Sequence, residues 1–332
     1  MSHTNINQNN MNYKASSHFS CALGTLIYQK ISFSKAETVE IIKEVTKLID
    51  RLEKIMSFYN INSQISQINQ RAGKAWTSVS PELLFVIKEA KRYARLTKGL
   101  FDITIALLVN LWQQYGKEGQ LPPYHLIEEA LTKINYEDIL IEEEKGRVKL
   151  QKEKQKIDLG GIAKGYIANC VIELYRKNRL HSAMVNLGGN VAVLGKREDG
   201  KLWQVGIQDP EQERGKCLAI VAVSDTSVVT SGNYERFYLE NNRKYHHILN
   251  PFTGYPSNSG LTSVTIIHPD AMLADVLSTA IFIAGLEEGK NLLCHYADVE
   301  AIMINNHRQI YFSCGILSKF QLIEEGYNLY QF

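Results

Sequence analysis

From Ala183 onward the chain is written almost entirely in strands. The runs "AMVNLGGNVAVLG", "LWQVGIQDP", "CLAIVAVSD", "YHHILNP" and "LTSVTIIHP" are rich in β-branched and aromatic residues and are separated by turn formers. One long helical pattern, Ala271 to Tyr296, interrupts them. A doubly wound sheet needs a helix after nearly every strand, so strands and helices that mix without regular alternation point to an α+β fold, with mixed or antiparallel sheets and packed helices.

The first half supplies most of the helices. "CALGTLIYQKISF", Cys21 to Phe33, reads as one strand. Ser34 with Glu37 then resembles a capping box, and Val39, Ile42, Val45, Ile49, Leu52 and Met56 recur at helical spacing. Ser80 before Pro81 predicts a second helix, with Leu84, Ile87, Ala90 and Ala94 on its apolar face and Gly99 to stop it. Lys117 to Lys156, with Pro122, Pro123 and the charged hairpin-like "IEEEKGRVKLQKEKQKID", reads as a surface excursion.

Composition removes several function classes. Lys plus Arg total 37 against 35 Asp plus Glu, so no global charge draws the protein to nucleic acid or to an anionic membrane. The five cysteines, Cys21, Cys170, Cys217, Cys294 and Cys314, are odd in number and widely spaced, which predicts reduced thiols in a packed interior rather than a disulfide framework. The polar start "MSHTNINQNNMNYKASSHFS" lacks the apolar core of a secretory signal, and no hydrophobic segment precedes Cys21 as a lipid anchor would need. No apolar run is long enough for a transmembrane span. The chain as it stands is expected in the cytoplasm, or on the outside as a lipoprotein whose leader has been removed.

Two nucleotide signatures are missing: there is no G-x-x-x-x-G-K-[ST] loop and no G-x-G-x-x-G after the first strand. Three other stretches carry chemistry. In "DLGGIAKGY", Asp158 to Tyr166, Ile157 and Leu159 end a predicted strand and Ile162 to Tyr175 has helical periodicity. The glycines there let backbone approach a ligand, and helix-start amides with Lys164 suit an anion; a tight connection capped by Asp158 is the other reading. In "LADVLSTAIFIAG", Asp275, Ser278 and Thr279 project oxygens from one helical face, which suits a hard cation such as Mg²⁺ or an ordinary polar helix edge. In "TSGNYERFYLENNRKYHHILNPFTGYP", Tyr238 and Tyr245 flank a polar turn, and alternation sends His246 and His247 to opposite faces. "NPFTGYP" is then a turn-rich loop able to close over a ligand.

"FDITIALLVNLW", "DLGGIAKGY", "NLGGN", "TSGNYERF", "HILNPFTGYP" and "ADVLSTA" together resemble the ApbE family, the FAD:protein FMN transferases. The likeness runs from about Leu23 to the C-terminal strands. It implies an ApbE-like domain over residues 21–332, two α+β lobes with an FAD cleft between them, behind a disordered polar segment over residues 1–20. It also implies a Mg²⁺-dependent reaction in which FAD is split at its pyrophosphate, FMN passes to a threonine or serine hydroxyl of an acceptor flavoprotein, and AMP leaves. The acceptor is expected to carry a D-x-x-[ST]-G-A-T-like motif. Carried over by position, the metal ligands are the Gly161 carbonyl, Asp275, Ser278 and Thr279. The FAD contacts are Leu23, Tyr59, Leu100, Phe101, Asp102, Asp158, Lys164 and Leu249, with Tyr59 able to stack on a ring. His247 matches the histidine of the family's "HI-x-D/N-P-x-TG" segment and is expected, with Asp275, to be catalytic. Asn233 and Asn250 stand where many members have Asp.

Two rivals stay open. An FAD pyrophosphatase would use the same metal but water as nucleophile, giving FMN and AMP. A non-catalytic protein would bind FAD and release neither.

Overall fold

The computed structural model describes residues 14–33, 35–240 and 243–332. The strands of the first half are β1 (Lys14–Ala22), β2 (Thr25–Phe33), β3 (Thr77–Ser78), β4 (Ile139–Glu142) and β5 (Arg147–Leu150). Those of the second are β6 (Ala183–Leu187), β7 (Asn190–Leu194), β8 (Trp203–Gln208), β9 (Cys217–Val223), β10 (Thr226–Gly232), β11 (Phe237–Glu240) and β12 (Arg243–His246). β13 (Leu261–His268), β14 (Glu300–Asn305), β15 (Gln309–Phe312), β16 (Phe320–Leu322) and β17 (Asn328–Gln331) complete them. The helices are α1 (Lys35–Met56), α2 (Gln64–Gln70), α3 (Pro81–Leu96), α4 (Ala106–Lys117), α5 (Tyr124–Leu131), α6 (Ala163–Lys177), α7 (Ala271–Ala284) and α8 (Leu286–Leu293).

One sheet in the order β1-β2-β6-β7-β10-β13-β14-β15-β17 is the centre of the molecule, antiparallel throughout except at the β15–β17 edge. Its central strands, such as β7 and β14, are apolar on both faces because both faces are covered there. In β7, Ala192 and Leu194 join a core built with the helices, while Val191 and Val193 pack under the small sheet β16-β9-β8. β14 divides the same way: Ala301 and Met303 face the helices, Ile302 and Ile304 the small sheet. α+β is therefore the class, as the irregular alternation of elements implies.

Several local expectations change. "CALGTLIYQKISF" is the end of β1, a Leu23–Gly24 turn with both φ positive (57° and 66°), and β2. A continuous strand cannot pass through two left-handed residues, so a hairpin forms, paired from Lys14↔Phe33 to Ala22↔Thr25. Ordered structure thus starts before residue 21, and residues 14–20 belong to β1 rather than to a disordered segment. Residues 1–13 and the cap residue Ser34 lie outside the described residues. On α1 the buried stripe is Thr38, Ile41, Val45, Ile49, Leu52 and Met56, with Val39 48% exposed, so the first turn is rotated by one residue from the pattern read. Ser80 does cap α3, accepting from the Leu83 amide at 3.4 Å with Pro81 following.

The charged middle is a hairpin as read, but not a mere excursion. Ile139, Val148 and Leu150 are fully buried in the main core, and β5 pairs with both β3 and β4. The long C-terminal helix is two helices, broken at Gly285 (φ 84°, ψ −177°). All five cysteines are free thiols as expected, yet Cys21, Cys294 and Cys314 are exposed rather than packed inside. Among the described residues no helix is long and apolar enough to cross a membrane.

Candidate active site

The site starts from one glycine. A Cβ on Gly165 would fall 2.3 Å from the Ala271 carbonyl oxygen and 2.6 Å from Met272 Cα, so α6 and α7 touch backbone to backbone there. Asn169 locks the crossing, donating to Asp270 Oδ1 at 2.6 Å and accepting from the Ala271 amide at 2.8 Å, while Asp270 caps α7. This close approach brings Asp275, one turn along α7, onto the start of α6: its Oδ2 accepts from the Gly165 amide at 3.0 Å. An orphan amide of a helix N-terminus is thereby satisfied by a carboxylate.

The three α7 oxygens do share a face. Ser278 Oγ donates to the Asp275 carbonyl at 2.9 Å and contacts Ser231 Oγ at 2.9 Å; Thr279 Oγ1 lies 3.3 Å from the same serine. Gly161 closes the group, because a Cβ there would lie 3.6 Å from Thr279 Oγ1 and 3.2 Å from a Phe101 ring carbon. Any larger residue would press on that ring. Ser278 is fully buried and Thr279 is not, so Thr279 is the hydroxyl that reaches the open side. The donors are hard oxygens with a single carboxylate, which leaves positions for water and phosphate oxygens around a Mg²⁺ ion. Among the described residues no group of three His, Cys, Asp or Glu is placed to hold a metal.

Lys164 stands beside them. Its Nζ donates to the Gly160 carbonyl at 3.1 Å and lies 3.9 Å from Asp275 Oδ1, an ion pair without a hydrogen bond. Ile157 and Leu159 end no strand: the segment is extended and buried, held by the Asn69 amide group to both backbone groups of Ile157. Asp158 caps its own turn, Oδ1 accepting from the Gly160 amide at 3.1 Å, rather than the helix. Burial pushes its carboxyl above the usual range, against that hydrogen bond and the nearby charges of Lys164 and Arg236.

The two histidines separate as alternation requires, and their jobs differ. His246 is buried with both ring nitrogens engaged: Nδ1 accepts from the Ile248 amide at 3.3 Å, which leaves Nε2–H to donate to the Ser257 carbonyl at 3.0 Å. His247 Nδ1 pairs with the Arg236 carbonyl at 3.2 Å, and a carbonyl only accepts, so the proton sits on Nδ1 and Nε2 keeps its lone pair. Its ring reaches solvent, yet protein crowds it on most sides, as for a residue set into a recess. That crowding, with the charges of Arg236 and Lys164, pushes its pKa down to about 4.

The expected flavin contacts are partly gathered here. Leu23 sits in the β1–β2 turn, next to Thr25, whose side chain packs over Gly188 of "NLGGN". The β7–β10 pairing, Val191↔Val228, carries that glycine turn toward the Ser231 end of β10. Phe101 and Leu100 pack on the main core, Phe101 against Gly161. Asp102 spends its carboxylate internally, accepting from Thr104 (amide 2.8 Å, hydroxyl 2.7 Å) and from the Tyr136 amide at 3.0 Å. Leu249 is buried in a separate small core with Leu108, Trp112 and Tyr245. Tyr59 is 69% exposed and donates to Gln113 at 2.9 Å, with no contact to the Asp275 group. Sequence reading passed over Ser231, Arg236 and Gly165, although all three lie inside motifs it singled out. Period-2 alternation along β10 was the available signal for Ser231.

A surface recess of about 650 Å³ lies elsewhere, between α3 and β4. Its cations are already spoken for: Lys88 by Glu143, Lys91 and Arg95 by Glu137, Arg92 by Glu89.

The model of the ApbE family matches residues 23–303, spanning every segment just described. The chain belongs to the ApbE family. Among its relatives are proteins named FAD:protein FMN transferase from Klebsiella pneumoniae, 32% identical over 86% of this chain and 88% of that one, and from Treponema pallidum, 32% identical over 92% and 89%. The fold agrees. A crystal structure of the ApbE protein from Thermotoga maritima superposes with a TM-score of 0.80 at 31% identity, covering 88% of this chain and 94% of that one. The flavin transferase ApbE from Vibrio cholerae gives 0.81 at 26% identity, covering 92% and 99%. This ApbE-family chain is thus an enzyme of the transferase class, with the ApbE α+β fold.

Proposed function

We propose that this chain transfers FMN from FAD to a threonine or serine hydroxyl of an acceptor flavoprotein, in a Mg²⁺-dependent reaction that releases AMP. The observation that carries this reading is the meeting of Asp275, Thr279, Gly161 and Lys164 at the α6–α7 crossing, with His247 close enough to feel the Lys164 charge. Phosphoryl transfer asks the protein for position and for neutralised charge, and these groups supply both.

Asp275 Oδ1, Thr279 Oγ1 and the Gly161 carbonyl would hold Mg²⁺, with the fully buried Ser278 bracing the Asp275 turn behind them. When bound, the ion would neutralise charge on the pyrophosphate and on the departing AMP. The chain's own residues do the rest. Lys164 offers a second positive charge to the pyrophosphate. Phe101, backed by Gly161, walls the site with an apolar surface that excludes water from the reacting bond. His247 presents an unprotonated Nε2 at neutral pH and accepts the proton of the acceptor hydroxyl as its oxygen bonds to phosphorus and the pyrophosphate bridge breaks. Tyr59, Leu23 and Leu100 are proposed to contact the flavin dinucleotide, Asp102 and Leu249 to shape its slot from behind, and Asp158 to hold the Gly160 turn against it. The acceptor carries a D-x-x-[ST]-G-A-T-like segment.

Incubating the protein with FAD, Mg²⁺ and a flavoprotein fragment bearing that segment tests the reading. Flavin fluorescence that stays with the acceptor after denaturation, together with AMP, supports it. Free FMN with AMP would mean hydrolysis, and bound FAD without AMP would mean a binding protein.

A further inference from the structure

The hairpin that presents His247 on one side has a second face, with a pocket of its own. Lys244 and His246 share that face because they are two residues apart on β12 and its extension. They look into a cavity of about 170 Å³ lined also by Asn233, Asn258, Thr262 and Asn306. Among the described residues no Asp or Glu lines it.

Lys244 is the unusual member. Its ammonium is half-buried, and none of the ion pairs among the described residues includes it. What it has is the Asn233 side-chain carbonyl at a long 3.5 Å and the Phe237 ring face at 4.2 Å. An ammonium has three donors, and a neutral amide oxygen with an aromatic face does not replace a counter-charge. Withdrawal from water lowers its pKa accordingly. His246 cannot act as the missing acceptor, since both its nitrogens are bound to backbone. Around the cation, Asn258 and Asn306 are exposed at the rim and carry side-chain amides free to turn donors inward.

We infer that this pocket is a binding site for a small oxyanion, a carboxylate or a phosphate group, seated on Lys244 and the three asparagine amides. None of the residues gathered around Asp275 lines it. A half-buried cation, amide donors and the absence of acid together make a cradle for one negative charge. The same geometry holds a built-in control: Asn233 and Asp are nearly isosteric, so Asn233→Asp places a carboxylate beside Lys244 and fills the charge from within.

The test is protection of the lysine. Lys244 is labelled with trinitrobenzenesulfonate in the full-length protein and read by peptide mass mapping, with inorganic phosphate or N-acetyl-aspartate amide as competitor and chloride at equal ionic strength as reference. At millimolar concentration one of the two anions is expected to slow labelling of Lys244 at least tenfold while chloride does not. Preference for phosphate assigns a free phosphate-bearing ligand; preference for the aspartate assigns a polypeptide carboxylate. Lys244→Met should abolish binding of the anion measured by calorimetry. Asn233→Asp should abolish competitor protection, with FAD affinity retained as the check that the variant is folded. Labelling of the wild type unaffected by either anion, or protection undiminished in Asn233→Asp, would overturn the inference.

Discussion

Asp275 accepts the Gly165 amide through one carboxylate oxygen at 3.0 Å and faces the Lys164 ammonium with the other at 3.9 Å. The first contact exists only because Gly165 has no side chain at the point where α6 meets α7. Gly165→Ala adds a methyl group 2.3 Å from the Ala271 carbonyl, against backbone that cannot yield as a flexible side chain would. Overpacking of this kind costs roughly 1–3 kcal/mol, and the gain of about 1 kcal/mol in helix propensity offsets only part of it. A lower denaturant midpoint with an unchanged slope, accompanied by loss of turnover, is expected. Full stability would show that the helices can part.

His247 gives the reaction a pH signature. Its folded pKa lies below the ordinary 6.5, at about 4, and the working form is the neutral one. Turnover is therefore expected to hold from pH 7 down to about 5 and to fall as pH drops through about 4. The linked stability follows the same sign: the unfolded chain takes up the proton first, so stability is complete above about 6.5 and is lost as pH falls toward the folded value. Arg236→Met removes a charge that depresses this pKa and should move the acid limb upward. A limb centred at 6.5 in the wild type and unmoved in the variant would dismiss His247 as the base.

Ser278 and Thr279 should not respond alike. Ser278 is fully buried and gives its proton to the Asp275 carbonyl, whereas Thr279 reaches the open side next to Gly161. Thr279→Val is expected to raise the Mg²⁺ concentration needed for half-maximal turnover about tenfold or more, and Ser278→Ala to cost chiefly about 1 kcal/mol of stability. Magnesium titrations of both variants beside thermal melts decide it; a larger magnesium shift in Ser278→Ala would reverse the assignment.

How much of this was legible in the sequence depends on the range of the interaction. The α+β class, the Ser80 cap, the Tyr238↔Tyr245 pairing and the opposite facing of the two histidines are local consequences of period and cap chemistry. Asp275, Ser278 and Thr279 share a face for the same reason. The Leu23–Gly24 turn was missed because strand formers on both sides masked a two-residue reversal, and the Gly285 break because apolar spacing continues across it. Burial of the charged β4–β5 hairpin is a tertiary fact: Ile139, Val148 and Leu150 are few among lysines and glutamates, yet they are the residues that pack. Asp102 carries an aspartate's promise of ligand contact, but its partners, Thr104 and Tyr136, are set by a fold-level contact 34 residues apart in the farther case.

Chelation offers a check on the donor set. One carboxylate among neutral oxygens binds Mg²⁺ weakly without substrate phosphate. Dialysis against EDTA is therefore expected to leave the melting temperature of the FAD-free protein unchanged and to abolish turnover, with restoration by Mg²⁺. A large drop in melting temperature on chelation would point to a structural metal instead.

The most direct measurement is the mass of an acceptor fragment after reaction with FAD and Mg²⁺, comparing wild type with Asp275→Asn. The asparagine keeps an oxygen for the Gly165 amide while removing the carboxylate charge. The account predicts an acceptor heavier by one FMN with the wild type and a rate lower by about 10²-fold or more with the variant, both proteins melting within a few degrees of each other. Equal labelling by the two would contradict it.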